Sequence, residues 1–359
     1  MANPSPNAAT NLGNWPDGGL ENVSQCPVCG SSQRKLIHAG LRDRVFCCAP
    51  GEWNLHACGG CGSAYLDPRP TLATIGQAYR NYCTHAPVGG VDYARASGWR
   101  RFRIAQRNAY LNANYGYQLK PAAWNPFFLS SARRRRFDTF TGFFHFPGPG
   151  ARVLDIGCGN GSYLWQMRSL GWEVCGVEPD PKSAAHGRAA GLDVRDGLLQ
   201  EQSLPEAHFD GITMTHVIEH LHDPMDTLRR CWKLLKPGGQ ITLTTPNLDS
   251  CGHQIFGADW LALDPPRHLV LFTETSLRRA MESCGFVVSR PPHPSLKARD
   301  LFHSSFCLQL AGNSGKRGKH LPWPVRLKKE WLAAQASRAA RRNPAVAEEA
   351  VLLGTACQK

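Results

Sequence analysis

The stretch Val153-Leu154-Asp155-Ile156-Gly157-Cys158-Gly159-Asn160-Gly161-Ser162-Tyr163-Leu164 restricts the fold more than any other part of the chain. The short apolar run from Arg152 to Ile156 reads as a buried parallel strand, and the three glycines after it make a sharp turn into a helix beginning near Ser162. Glycine tolerates positive φ and, lacking a Cβ, lets a ligand lie directly on the backbone. Asp155 ends the strand facing the same crevice. Dinucleotide enzymes use a similar loop, so the segments that follow decide what the crevice holds.

Trp172 to Asp180 is a second strand ending in Glu178, 178 − 155 = 23 positions after Asp155. A carboxylate placed there in a nucleotide-binding unit accepts hydrogen bonds from ribose hydroxyls. A helix over Pro181 to Ala190 follows, then a strand through Leu192-Asp193-Val194 and the loop Asp196-Gly197-Leu198-Leu199. The fourth strand is Phe209 to His216. Helix Met225 to Leu235 leads through Lys236-Pro237-Gly238-Gly239 to strand Gln240 to Thr245. Strands and helices alternating across short loops predict an α/β, doubly wound, mostly parallel sheet with ligands beyond the carboxyl ends of its strands.

Ahead of this region, Cys26-Pro27-Val28-Cys29 and Cys58-Gly59-Gly60-Cys61 form two knuckles separated by 58 − 29 − 1 = 28 residues. Two such turns aim four thiolates at one ion and leave no open coordination position, which predicts a structural Zn2+ rather than a catalytic one. The pairs lack the βαβ setting of a redox motif. Cys47 and Cys48 lie in the spacer, but adjacent cysteines rarely both reach one ion, so they are left outside the set. Fourteen cysteines in a chain of 359 residues without a visible secretory signal predict thiols and metal, and hence a cytoplasmic protein.

These features predict a disordered leader over 1–20, a zinc ribbon with an exit helix over 21–85 and a helical aromatic and basic linker over 86–149. The exit helix runs from Thr71 toward Tyr82; the linker helices cover Trp99 to Tyr110 and Ser130 to Phe144. The formal charge of +13 suits anionic company, including nucleic acid, membrane or a phosphorylated substrate. Arginines beside aromatics, as in Arg133 to Phe137, suit single-stranded nucleic acid as well as a linker helix whose arginines are solvated, and the linker is the preferred reading.

With the glycine loop, Glu178, Phe209-Asp210, Glu219-His220-Leu221, Asp223-Pro224 and Leu235-Lys236-Pro237-Gly238-Gly239 in this order, Arg152 to Phe286 resembles the class I S-adenosylmethionine-dependent methyltransferases. Within them it is similar to the branch of the ubiquinone-biosynthesis O-methyltransferases. The knuckles, with Pro265-Pro266-Arg267-His268 and Phe272-Thr273, look like a zinc-ribbon-bearing bacterial subgroup. The resemblance implies a seven-stranded Rossmann-like core over 150–292, an insertion over 293–344 and a closing antiparallel strand within 345–359. The insertion holds Leu301 to Leu310 and the basic segment Trp323 to Arg342, an ordinary lid or surface helix in preference to one that caps the active site or lies on an anionic membrane.

The resemblance further implies that S-adenosyl-L-methionine lies over Gly157, Cys158 and Gly159, with its ammonium at Asp155 and its ribose at Glu178. Adenine would sit near Pro179, Gly197 and Leu198, although Leu198 stands where many relatives carry an acidic residue. His216 and His220 would flank the methyl donor. His220 and His268 are the candidate bases, histidine having an ordinary pKa near 6.5. Alternatively, His216, Glu219 and His220 would hold a divalent cation. The predicted activity is methyl transfer to a small molecule, at oxygen rather than nitrogen or carbon. The competing readings are an RNA or protein methyltransferase and a non-catalytic cofactor-binding scaffold. A nicotinamide enzyme is disfavoured because the loop is Gly-x-Gly-x-Gly rather than Gly-x-Gly-x-x-Gly.

Overall fold

The computed structural model describes residues 14–80, 97–123, 129–311 and 320–357. In chain order, the N-terminal strands are β1 (Leu20–Glu21), β2 (Arg34–Leu41), β3 (Trp53–Cys58), β4 (Ala64–Leu66) and β5 (Arg69–Pro70). Helices α1 (Gly98–Tyr115) and α2 (Ser131–Phe140) follow. Then come β6 (Arg152–Ile156), α3 (Ser162–Arg168), β7 (Glu173–Glu178), α4 (Pro181–Ala189), β8 (Asp193–Asp196), β9 (Phe209–Thr215), α5 (Pro224–Leu234) and β10 (Leu235–Pro246). The chain closes with α6 (Cys251–Phe256), β11 (Val270–Leu271), α7 (Glu274–Ser283), β12 (Phe286–Ser289), α8 (Ala298–Ala311), α9 (Trp323–Arg342) and β13 (Glu349–Ala356).

The large sheet has seven strands in the order β12-β13-β10-β9-β6-β7-β8. Its β6–β7, β6–β9, β7–β8 and β9–β10 pairs are parallel, and β13 runs antiparallel to both neighbours, as expected for the closing strand. Leu154, Ile212, Met214, Ile241 and Leu243 are fully buried at its centre. Strand residues apolar on both faces are what a parallel sheet covered by helices requires. The crossover helices start where their caps direct. Asp180 accepts from the amides of Lys182 and Ser183, Asp223 accepts from that of Asp226, and a proline follows each cap.

The ribbon is not an appended module. Its sheet has four strands in the order β11-β4-β3-β2, and β11 comes from the methyltransferase-like region. Val270 pairs with Tyr65 and Leu271 with Ala64, and Trp53, Leu55 and Tyr65 share one apolar core with Leu271 and Phe272. The expected boundary between 21–85 and 150–292 is therefore crossed by hydrogen bonds and by packing. Truncating a buried leucine such as Leu271 at this seam would cost about 2–5 kcal/mol.

Three expectations need correction. The disordered leader does not extend to residue 20, because Trp15 is buried edge-on against Trp53 at 5.3 Å and its indole N–H donates to the Gly19 carbonyl at 3.0 Å; residues 1–13 lie outside the described residues. The exit helix from Thr71 is a single 3-10 turn, Ile75–Tyr79, and the remainder of that expectation falls within 81–96, also outside them. The segment Lys236 to Gly239 is not a free turn but an irregularity inside β10, where the register against β9 shifts.

In the linker, Tyr110 and Tyr115 of α1 both donate to the buried Asp138 carboxylate of α2 at 2.8 Å. Arg133, Arg134 and Arg136 are exposed while Phe137 and Phe140 pack against the core, so α2 is an amphipathic cover. Helices α8 and α9 pack on each other between β12 and β13.

Candidate active site

The carboxyl ends of β6, β7 and β9 open on one crevice. At the end of β6, Gly157 has φ +71°, and a Cβ there would collide with Val217 of the segment after β9. Glycine is thus required both for conformation and for close approach. The Glu178 carboxylate, from the end of β7, accepts from the Gly159 amide at 2.7 Å and from the Asp180 amide at 2.9 Å. It closes the glycine loop from the neighbouring strand. Asp155 accepts from the Thr213 hydroxyl at 2.6 Å. Burial pushes its carboxyl up to about 7, more than the Thr213 hydrogen bond lowers it, and Glu178 nearby adds to the rise.

The Cys158 side chain packs with Leu164 and Leu192, so only its backbone can face a ligand. Gly197 donates its amide to the Glu178 carbonyl at 3.0 Å, which brings the end of β8 beside Pro179. The Leu198 amide is taken by Glu201 at 2.8 Å, and Asp196 pairs with Arg188 at 2.7 Å. These residues mark the rim where sequence reasoning put adenine.

His216 follows β9 with φ +55°, a left-handed conformation rare for a residue with a side chain. Its Nε2 lies 2.9 Å from Glu349 Oε1 and its Nδ1 3.3 Å from Glu219 Oε1. Burial pulls its pKa down, but the two carboxylates outweigh burial and hold it at about 10, so the ring is an imidazolium clamped between acids. Both ring nitrogens are engaged, which leaves His216 neither a base nor a metal ligand.

The group that the structure does bring together is Glu219, His220 and His268, whose ligating atoms all lie within 4.8 Å of one another. Glu219 is fully buried; its Oε2 accepts from the Thr245 hydroxyl at 2.9 Å, and its Oε1 faces His216 Nδ1 at 3.3 Å. Burial opposes its charge, yet the His216 hydrogen bond, with His220 and His268, holds its carboxyl down at about 2. The two histidine rings meet edge to face, 4.7 Å apart. His268 Nδ1 lies 2.8 Å from the Ala262 carbonyl. A carbonyl only accepts, so that nitrogen carries the proton and Nε2 keeps its lone pair. Burial above all, and His220 next, hold the pKa of His268 down to about 4. His220 Nδ1 is 2.9 Å from both the Arg267 carbonyl and the Tyr79 hydroxyl. That carbonyl only accepts, so Nδ1 of His220 carries a proton.

Sequence reasoning missed what holds these histidines. Arg267 is fully buried, pairs with Asp43 at 2.7 Å and with Asp264 at 2.6 Å, and donates to the Ala78 carbonyl at 2.9 Å. The Phe46 ring lies under its guanidinium at 4.5 Å. Asp43 also accepts from the amides of Phe46, Cys48 and Ala49. A ribbon loop therefore grips the residue next to His268 and, through the Arg267 carbonyl, His220. The Pro-Pro-Arg-His segment was visible in the sequence; its partner Asp43 carried no local signal.

The four knuckle cysteines converge as expected. Sγ separations are 3.7 Å for Cys26–Cys61 and 3.5 Å for Cys29–Cys58. A tetrahedron with metal–sulfur bonds of about 2.3 Å has edges of about 3.8 Å, so the thiols are spaced for one ion. Cys48 instead contacts the Ala78 carbonyl, and Cys47 is exposed.

Residues 128–290 match the profile of a family described as a methyltransferase domain. The ubiquinone biosynthesis O-methyltransferase of Cereibacter sphaeroides is 35% identical over 123 residues, covering 32% of this chain and 50% of that protein. That of Xanthomonas oryzae pv. oryzae is 34% identical over 127 residues, covering 33% and 53%. The chain thus spans about half the length of the curated relatives it matches. Among solved structures, a SAM dependent methyltransferase from Archaeoglobus fulgidus aligns at 22% identity and a TM-score of 0.40 over 62% of this chain and 91% of that one. Over residues 128–290 the chain is thus similar to methyltransferase domains, and within that stretch to the ubiquinone-biosynthesis O-methyltransferases.

Proposed function

We propose that the chain transfers a methyl group from S-adenosylmethionine to a hydroxyl of a small-molecule acceptor, with His220 as proton acceptor. The observation that carries this reading is that the Asp155–Gly159–Glu178 cradle at the ends of β6 and β7 adjoins the segment after β9 that carries His220, where Val217 meets Gly157, and that His220 is paired there with His268. The crevice suits the cofactor, because a Cβ added at Gly159 would meet nothing within 4 Å and would project into open space. S-adenosylmethionine, when bound, supplies a methyl group on a sulfonium that is already a good leaving group.

This chain's residues then bind, align and move a proton. Asp155 receives an ammonium. Glu178, a carboxylate at the end of the second strand, receives a ribose diol. His220, oriented by the Arg267 carbonyl, takes the acceptor's proton at Nε2. His268, with a pKa near 4, is a weak proton acceptor and serves to position its neighbour. Alignment is the larger contribution, and a base adds roughly two to four orders of magnitude.

The knuckle cysteines, in this reading, hold a structural zinc, whose closed coordination keeps the ribbon, and with it the grip on Arg267, in place.

The convergence of Glu219 with the two Nδ1-anchored histidines favours a second reading, a divalent cation at Glu219, His220 and His268 that polarises the acceptor hydroxyl. Calorimetric titration with magnesium, manganese or zinc, repeated on Glu219→Gln, decides between a cation and a base. The main reading is tested with labelled cofactor and a panel of phenols and catechols. Transfer that falls about 10²–10⁴-fold in His220→Ala with cofactor affinity unchanged supports it; transfer to no hydroxylated acceptor overturns it.

A further inference from the structure

We propose that helix α9 docks the chain onto an anionic lipid surface. The helix has two opposed faces. Lys329, Ala333, Ala336 and Ala340 form its buried side, against α8 and the core. On the other side, spaced four residues apart and so aligned along the helix, Trp323, Leu327 and Trp331 are 73%, 59% and 61% exposed. Leu310 at the end of α8 is exposed as well. Single exposed apolar residues are ordinary on a protein surface; a line of two tryptophans and a leucine on one helix is a patch.

Charge selects the occupant. Six basic residues of α9 (Arg326, Lys328, Lys329, Arg338, Arg341 and Arg342) stand against one acidic residue, Glu330, and that carboxylate is taken by Lys329 and Arg299. The other five basic side chains are exposed, and no ion pair among the described residues engages them. Tryptophan has an apolar body with a polar N–H and favours the boundary between lipid and water, and basic residues around it attract anionic headgroups. Leu327 and Leu310 offer no ring on which a nucleic-acid base could stack, so the line suits acyl chains better than RNA. No described helix is long and apolar enough to cross a membrane, so α9 lies on the surface rather than spanning it.

Helix α8 holds the segment beside the active site. Ser305 accepts from the Leu261 amide at 3.0 Å, and the next residue, Ala262, fixes His268. Docking through α9 therefore engages the support of the acceptor half. This inference rests on the methyl-transfer reading only in that docking would bring the acceptor half of the crevice to the lipid surface.

The test is co-sedimentation of the whole chain with vesicles of phosphatidylcholine alone and of phosphatidylcholine with phosphatidylglycerol. Binding to the anionic vesicles that salt weakens, and that falls at least about tenfold in Trp323→Ala/Trp331→Ala, supports docking. The same loss in Arg338→Gln/Arg341→Gln/Arg342→Gln supports the charge argument. A chain that stays in the supernatant with both vesicles overturns the proposal, as does a tryptophan variant that sediments like the wild type. Self-association lost in that variant without vesicle binding assigns the face to a second copy, and single-stranded RNA displacing the vesicles assigns it to nucleic acid; either overturns lipid docking. Cofactor titration on the same samples separates the two readings, since docking without cofactor binding leaves α9's role standing while methyl transfer falls.

Discussion

Asp155 and Glu178 stand at the ends of neighbouring parallel strands, and Glu178 closes the glycine loop that follows Asp155 by accepting from the Gly159 amide, whereas His220 is held by Tyr79, 141 positions away, and by Arg267, itself gripped by Asp43 from 224 positions away. The cofactor half of the crevice is made within one βαβ unit. The acceptor half is made where two sheets meet, and needs the ribbon folded before its histidines have fixed positions. The contrast separates two dependencies: cofactor binding follows from the large sheet, and turnover follows from the cysteine ribbon as well.

The sharpest way to break this comparison is to remove the ribbon's four-cysteine cluster. Cys26→Ser/Cys58→Ser is expected to lower turnover by roughly 10²–10⁴, the contribution of an aligned base, while cofactor affinity measured by calorimetry changes only a few-fold. Equal losses in both halves would show that the two are one cooperative unit. Next in size is a pH effect confined to the cofactor half. Asp155 has a pKa raised to about 7 and must be a carboxylate to receive an ammonium. Below that pH it is protonated and binding competes with the proton. Affinity is therefore expected to rise about tenfold from about pH 6 to about pH 8, with proton release on binding in the lower part of that range. An affinity flat across this window would mean that Asp155 does not meet the ammonium. The smallest effect belongs to the seam. Tyr79→Phe removes one hydrogen bond to His220, a net of about 1 kcal/mol, so turnover should fall about fivefold with cofactor affinity unaltered.

The same contrast explains what could be read in the sequence. The strand ending in Asp155, the glycine turn and Glu178 were legible because each is a local signal within one βαβ unit, and the order of strands followed from alternation and from the motif series. The knuckles were legible because two Cys-x-x-Cys turns have few other uses. The fusion of ribbon and core was not. Strand β11 is only two residues long and exists because β4 pairs with it, and nothing near Asp43 announces a buried arginine on the far side of the chain. His216 was placed correctly at the end of a strand and beside Glu219, but its second carboxylate, Glu349, was not legible because it arrives from the closing strand 133 positions later. The exit helix failed for a related reason: after Thr71 the backbone makes one 3-10 turn that places Tyr79 against His220.

The most direct test of the central claim is a calorimetric titration of the whole chain with S-adenosylmethionine, S-adenosylhomocysteine and NAD, repeated on Asp155→Ala. Saturable binding of both sulfur cofactors at one site per chain is predicted, weakened roughly 10–100-fold by the substitution, with no binding of NAD. Failure to bind either sulfur cofactor, or binding that Asp155→Ala leaves unchanged, would contradict it.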